Sequence, residues 1–233
     1  MTKILVTNDD GWMAPGIALL AEVAANFGEV TVVAPEVEQS GMSHRITFDR
    51  PLAIQQKSTG FYSVDGTPAD CVRIAIAKLG GGFDWVLSGI NDGANLGVEI
   101  FYSGTVAAAR EATLLGVPAI GLSQYRVKYL EAFDWSQQKN LVERLLGQML
   151  TADERKPGKW LNLNLPDPST CPESGPQVIE CRADYSALPN QYSDTNGGAE
   201  LDFKYRERPR QEGRDVEVCF GGHVALTRLA LDV

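Results

Sequence analysis

The chain is poor in histidine, in basic charge and in long apolar runs, and each shortage removes a class of function. Its 233 residues hold two histidines, His44 and His223, and four cysteines, Cys71, Cys171, Cys181 and Cys219, with no C-x-x-C spacing among them. A zinc cluster of imidazole and thiolate is therefore not expected. Lys and Arg total 21 against 30 Asp and Glu, a formal charge of −9 at pH 7. A nucleic-acid groove needs clustered cations to neutralise phosphates, so none is expected. The one basic stretch, Lys204 to Arg214, is broken by Glu207 and Glu212 and reads as a solvated hairpin or loop. No apolar stretch reaches membrane-spanning length, and the apolar run before Thr7 and Asn8 is too short for a secretory h-region. The expected location is the cytoplasm, with no membrane partner. No G-x-G-x-x-G follows the first strand, which argues against a redox dinucleotide enzyme.

What is present reads as an α/β chain. Apolar residues make up 44% and charged residues 22%, ordinary globular values for one large domain or one domain with an elaboration. The runs Ile4 to Val6 and Val30 to Ala34 read as buried strands, and Ala14 to Phe27 between them carries apolar residues at helical spacing. Such a β-α-β unit crosses over right-handed and makes its strands parallel. After an irregular stretch the alternation continues: a helix from Pro68 to Leu79, a strand at Trp85 to Ile90, a helix from about Thr105 to Leu115, and a strand near Ala119 to Leu122. A long amphipathic helix from Trp135 to Leu150 and a strand at Trp160 to Leu165 follow. The expectation is a Rossmann-like, mostly parallel sheet flanked by helices over residues 1–166. Beyond Pro166 the composition shifts to Pro, Gly and Ser around short strands, so 167–233 is expected to be a hairpin-rich elaboration.

Two adjacent acids, Asp9 and Asp10, follow the first strand directly, at the carboxyl end where open α/β sheets bind ligands. Gly11 permits a turn that brings both carboxylates to one point. Hard divalent cations such as Mg²⁺ take carboxylate, amide and hydroxyl oxygens, and Ser40 and Asn91 stand in two other loops expected at the same sheet edge. Asp9, Asp10, Ser40 and Asn91 are thus four candidate metal ligands, although each also suits a turn or cap. Ser103-Gly104-Thr105 opens a helix, whose free N–H groups suit a phosphate, and the same residues suit a plain N-cap. Asn95, in the Gly- and Asn-rich loop 91–97, offers a donor for a phosphoryl oxygen. His44 has a pKa range suited to proton transfer, but a lone histidine beside Arg45 reads more simply as a loop residue.

These segments, ILVTNDDG (4–11), VAP (33–35), SG (40–41), GTPADCV (66–72), SGINDGANLG (88–97) and SGTVA (103–107), resemble in that order the SurE family of survival proteins, metal-dependent 5′/3′-nucleotidases. The resemblance continues through WLNLNLP (160–166) and thins to GHVALT (222–227). It implies a Rossmann-like core and a C-terminal hairpin region that mediates oligomers. It also implies Asp9, Asp10, Ser40 and Asn91 as divalent-metal ligands. The chain departs from the family pattern at Gln39, where Arg is usual, and at Asp92 and Ala94 in the Asn-Gly loop. Its short C-terminal region favours a homodimer, with a homotetramer as the alternative.

The expected function is a phosphomonoesterase acting on nucleoside monophosphates with Mg²⁺ or Mn²⁺, Asp9 additionally serving as base or nucleophile. Asn95, Ser103, Gly104 and Thr105 would stabilise the phosphoryl charge. One rival is a receiver-type signalling module, but Ser88 and Asn91 stand where a phospho-acceptor Asp is needed and Ser123-Gln124 where a Lys is needed. The other is a non-catalytic metal- or nucleotide-binding or regulatory protein that retains the fold.

Overall fold

The computed structural model describes residues 1–231. In chain order the regular elements are β1 (Lys3–Thr7), α1 (Pro15–Ala24), β2 (Glu29–Pro35), β3 (Ile54–Ser58), β4 (Phe61–Val64), α2 (Pro68–Lys78), β5 (Trp85–Asp92), α3 (Gly104–Leu114), β6 (Ala119–Gln124), α4 (Lys139–Met149), β7 (Lys159–Leu165), β8 (Val178–Glu180), β9 (Tyr192–Thr195), β10 (Gly198–Leu201), α5 (Asp215–Phe220) and β11 (Val224–Ala230). Nine strands form one sheet in the order β3-β4-β2-β1-β5-β6-β7-β11-β8. The strands from β4 to β7 run parallel; β3 and β11 join antiparallel to their inner neighbours. The expected α/β architecture, a mostly parallel sheet flanked by helices, is present.

Helices cover both faces of the sheet, which is why its strands are continuous apolar runs rather than alternating ones. Ile4 and Val6 pack against α1 and α4, whereas Leu5 between them packs against α2 and α3 with Val33 and Val86. All of these side chains are fully buried, and each such aliphatic group contributes about 1.5–3 kcal/mol. α2 begins sharply because Thr67 and Asp70 form a capping box, each side chain accepting the other's backbone N–H at 3.2 and 3.0 Å, with Pro68 in the first turn. Among the described residues no helix is long and apolar enough to cross a membrane.

Two features depart from the sequence expectation. The irregular stretch after β2 contains the β3–β4 hairpin, which extends the sheet edge; β3 is nearly all exposed and so carries no apolar alternation to betray it. The segment beyond residue 167 contains a helix, α5, and returns two strands, β11 and β8, to the main sheet, while among the described residues β9 and β10 pair only with each other. A small third core of Leu96, Tyr125, Val216, Cys219 and Ala225 joins this segment to the loop after β5.

Candidate active site

The carboxyl ends of β1 and β5 are neighbours in register, Thr7 beside Ser88, and the chain beyond each supplies the polar residues. Asp9, Ser40, Asn91, Asn95 and Ser103 line a cavity of about 550 Å³. Tyr102, Tyr125, Tyr129, Tyr205, Val127 and Leu188 line the same cavity, with Glu99, Asp92, Arg126 and Arg206. Aromatic walls with a few polar groups are the usual make-up of a small-molecule site.

Asp9 is only 4% exposed. The Thr105 hydroxyl donates to its Oδ1, and the N–H groups of Gly104 and Thr105, at the start of α3, also turn to its carboxylate. Gly104 is obligatory here, since a Cβ at that position would sit 2.8 Å from Asp9 Cβ and 2.9 Å from Asp9 Oδ2. Burial pushes the Asp9 carboxyl above its ordinary value, and these donors only partly offset it. Asp10 accepts the Asp92 N–H at 3.1 Å and is pushed up to about 7, first by burial and then by the charge of Asp9. Neither acid has a cationic side chain as partner among the described residues.

Other oxygens near these strand ends have no partner among the described residues. Asn8 donates its side-chain N–H to Gly11 O at 2.8 Å, which leaves its buried Oδ1 unpartnered, and the buried hydroxyl oxygens of Thr7 and Ser88 are unpartnered too. Asn91 donates its amide N–H to Gly93 O at 2.7 Å, which leaves its Oδ1 available. Two carboxylates forced together in a buried place without a cation, beside neutral acceptor oxygens, have the donor chemistry that a hard cation takes. Among the described residues no three His, Cys, Asp or Glu side chains form a metal cage, so any cation here would rest on two acids plus neutral oxygens and solvent, the Mg²⁺-like pattern. Ser40 lines the same cavity but is exposed, and its hydroxyl donates to Glu38 Oε1 at 2.7 Å.

Of the four residues read from the sequence as phosphate contacts, Asn95 and Ser103 line the cavity, whereas Gly104 and Thr105 are committed to Asp9. Ser103 Oγ accepts the Val106 N–H at 3.0 Å as the cap of α3, so its own hydroxyl hydrogen stays free to donate. Asn95 is fixed from three sides: its N–H to Asn164 Oδ1 at 2.8 Å, its carbonyl from Asn162 and Asn164, and its side-chain nitrogen to Ser123 Oγ at 2.7 Å. One N–H of that side-chain amide remains.

His44 does not line the cavity. Its Nδ1 accepts from Arg110 Nε at 2.7 Å and its Nε2 faces Glu111 at 2.8 Å, which places the ring proton on Nε2 and ties the Ser40 loop to α3. Ser43, at φ +53°, adds a hydroxyl bond to Phe101 O at 2.6 Å and an N–H bond to Tyr102 O at 3.1 Å.

Several wall residues have partners that the sequence did not reveal. Asp92, an acid added beside an acidic site, accepts from Arg126 at 2.8 and 2.7 Å, and Arg126 is itself buried between Tyr129 and Phe133. Arg126 comes two residues after β6 at the same sheet edge, a position that could have flagged it. The Lys204–Arg214 stretch is not wholly solvated: Arg208 is 3% exposed and pairs with Glu99 at 2.8 Å. Burial raises Glu99 and Arg208 pulls it back. Asp215, fully buried, accepts the N–H groups of Gly97 and Asp184 at 2.7 and 2.8 Å. The C-terminal segment thus grips the loop that carries Asn91 and Asn95.

The chain is similar to known proteins. Residues 4–185 match the family model described as Survival protein SurE. The chain is 39% identical over 244 residues to the 5′-nucleotidase SurE of Legionella pneumophila subsp. pneumophila, covering 99% of this chain and 92% of that one. It is 40% identical over 242 residues to the 5′-nucleotidase SurE of Pelobacter propionicus, covering 99% and 94%. The crystal structure of the SurE protein from Aquifex aeolicus superposes with a TM-score of 0.83 at 33% identity, over 99% of this chain and 94% of that one. The matched span includes Asp9, Asp10, Ser40, Asn91, Asn95 and Ser103, and the chain belongs to the SurE family.

Proposed function

We propose that this protein is a divalent-metal-dependent phosphomonoesterase that hydrolyses nucleoside monophosphates to nucleoside and phosphate. The observation that carries this is the buried pair Asp9 and Asp10, without a cationic partner among the described residues, with Asp9 lining a cavity that several tyrosines also line. The relatives named as 5′-nucleotidases support the same reading.

Asp9, Asp10 and Asn91 would hold Mg²⁺ or Mn²⁺, with Ser40 completing the set once its hydroxyl leaves Glu38. Such a cation neutralises phosphoryl oxygens and makes water more acidic. Thr105 and Gly104 orient Asp9, so that its carboxylate keeps one direction. The free Ser103 hydroxyl and the remaining Asn95 N–H donate to the phosphoryl group, where charge grows in the transition state. The tyrosines of the cavity wall take the nucleoside by its faces. Arg126 neutralises Asp92, so that residue adds no net charge against an anionic substrate.

In the same reading residues 1–166 form the catalytic core and 167–233 an elaboration through which two copies, or four, associate. The β9–β10 hairpin supports this, being exposed on both strands and unattached to the main sheet, because an isolated hairpin is marginal in water. Four free cysteines suit a cytoplasmic location. The test is phosphate release from a panel of nucleoside monophosphates with and without Mn²⁺ or Mg²⁺, alongside Asp9→Asn. Metal-dependent release lost in Asp9→Asn is expected; no release from folded protein with any metal contradicts it.

A further inference from the structure

We propose that Glu99 is the sugar-recognition residue of the cavity, its Oε1 accepting a hydrogen bond from one ribose hydroxyl, so that the intact ribose is selected over the sugar lacking that hydroxyl. This rests on the nucleotidase reading above. Glu99 lies in the single turn Gly97–Phe101 that leads into α3, and its carbonyl accepts the Ser103 N–H at 3.0 Å. It therefore stands one turn from Ser103, on the wall of the same cavity, within the reach of the group that a phosphate held at Ser103 would carry.

The carboxylate is held so that one oxygen is used and the other is not. Oε2 accepts from the Leu96 N–H at 3.2 Å, the Tyr205 hydroxyl at 2.8 Å and Arg208 at 2.8 Å, while Oε1 accepts nothing among the described residues. Three donors on one oxygen lock the side chain against rotation, and Arg208, itself gripping Leu96 O at 3.4 Å, is fixed in turn. The ion pair also explains how a carboxylate can line a phosphate-binding cavity, because its charge is cancelled locally by Arg208 rather than presented to the substrate. What remains is a single, oriented acceptor. Base edges present mixed patterns of donors and acceptors that differ from base to base, whereas the ribose hydroxyls are donors common to every ribonucleotide. The selection should accordingly be of sugar and not of base.

The experiment compares kcat/KM for adenosine 5′-monophosphate with its 2′-deoxy and 3′-deoxy analogues, and for uridine 5′-monophosphate with its 2′-deoxy analogue, in Mn²⁺, on wild type and Glu99→Gln. A hydrogen bond to a charged group implies a ratio of about 10- to 100-fold in favour of the intact ribose in wild type, lost with one particular hydroxyl and alike for both bases. In Glu99→Gln the three donors keep oxygen at the Oε2 place, so an amide nitrogen replaces Oε1 and the ratio narrows by about tenfold. A merely structural role would lower every substrate equally and leave the ratio untouched. Equal turnover of ribo and both deoxy substrates by wild type overturns the proposal whether or not the variant folds. If no nucleotide is hydrolysed, the phosphatase reading fails by itself. Calorimetric binding of the same nucleotides to wild type then decides Glu99: weaker binding of a deoxy analogue supports it, and equal binding overturns it.

Discussion

Asp9 and Glu111 are buried to the same degree, 4% and 2% exposed, in opposite company. Glu111 bonds to His44 at 2.8 Å and Arg73 at 2.6 Å. Burial pushes it up, but these partners outweigh burial and hold its carboxyl below the ordinary value. Asp9 has a hydroxyl and two backbone amides, no cation, and a second acid next door, and both acids are pushed up. A buried acid with its counter-ion built in is a structural device; here Glu111 pins the Ser40 loop to α3. A buried pair without one is an unfinished site whose missing charge must come from outside.

The largest effect that would break this contrast is on turnover. Asp9→Asn removes a ligand to a cation that supplies several kcal/mol in the transition state, so metal-dependent phosphate release should fall by about a thousandfold or more. Fold stability should separate the two acids next. Glu111→Gln should lower stability by about 1–3 kcal/mol, read by denaturant midpoint, because it unpairs Arg73 and His44. Asp9→Asn, by removing a buried charge, should leave the metal-free midpoint unchanged or raised.

The pH dependence sharpens the comparison further. The Asp10 carboxyl titrates near 7 in the folded protein against an ordinary 3.8, so the folded state holds its proton more tightly than the unfolded chain. Its contribution to metal-free stability is full below about pH 4 and is lost as pH rises through 7. Saturating Mn²⁺ should reverse this, raising Tm by about 5–10 °C at pH 8 and by clearly less at pH 6. The smallest expected change belongs to Asp92→Asn. Freeing the buried Arg126 from its partly exposed partner should shift KM for a nucleotide by about threefold at most, toward tighter binding.

The acid cluster was legible because its chemistry is local: Asp9 and Asp10 sit on one strand end, and a continuous apolar run announces that strand. The helices and parallel strands were legible for the same reason, with boundaries off by a residue or a few, as at α4, where Trp135 to Gln138 form a separate single turn. The β3–β4 hairpin was not legible, since an exposed edge strand such as IQQKS has no apolar period. Nor were Glu99, Arg208 and Asp215, whose meaning comes from contacts more than 100 residues apart in sequence. Gly104 and Thr105 were seen as a helix start but assigned to a phosphate. Only the packing shows them turned to Asp9, across 96 residues of sequence in the case of Thr105.

The most direct test of the central claim is a calorimetric titration of Mn²⁺ into metal-free protein at pH 7 and pH 9, in buffers of different ionisation heat, with Asp9→Asn in parallel. A divalent ion filling the Asp9–Asp10 site should bind once per chain and release more protons at pH 7 than at pH 9, because both carboxyls are pushed up and metal binding needs them ionised. The signal should disappear in Asp9→Asn. A wild type that binds no Mn²⁺, or binds it equally well in the variant, would contradict the account.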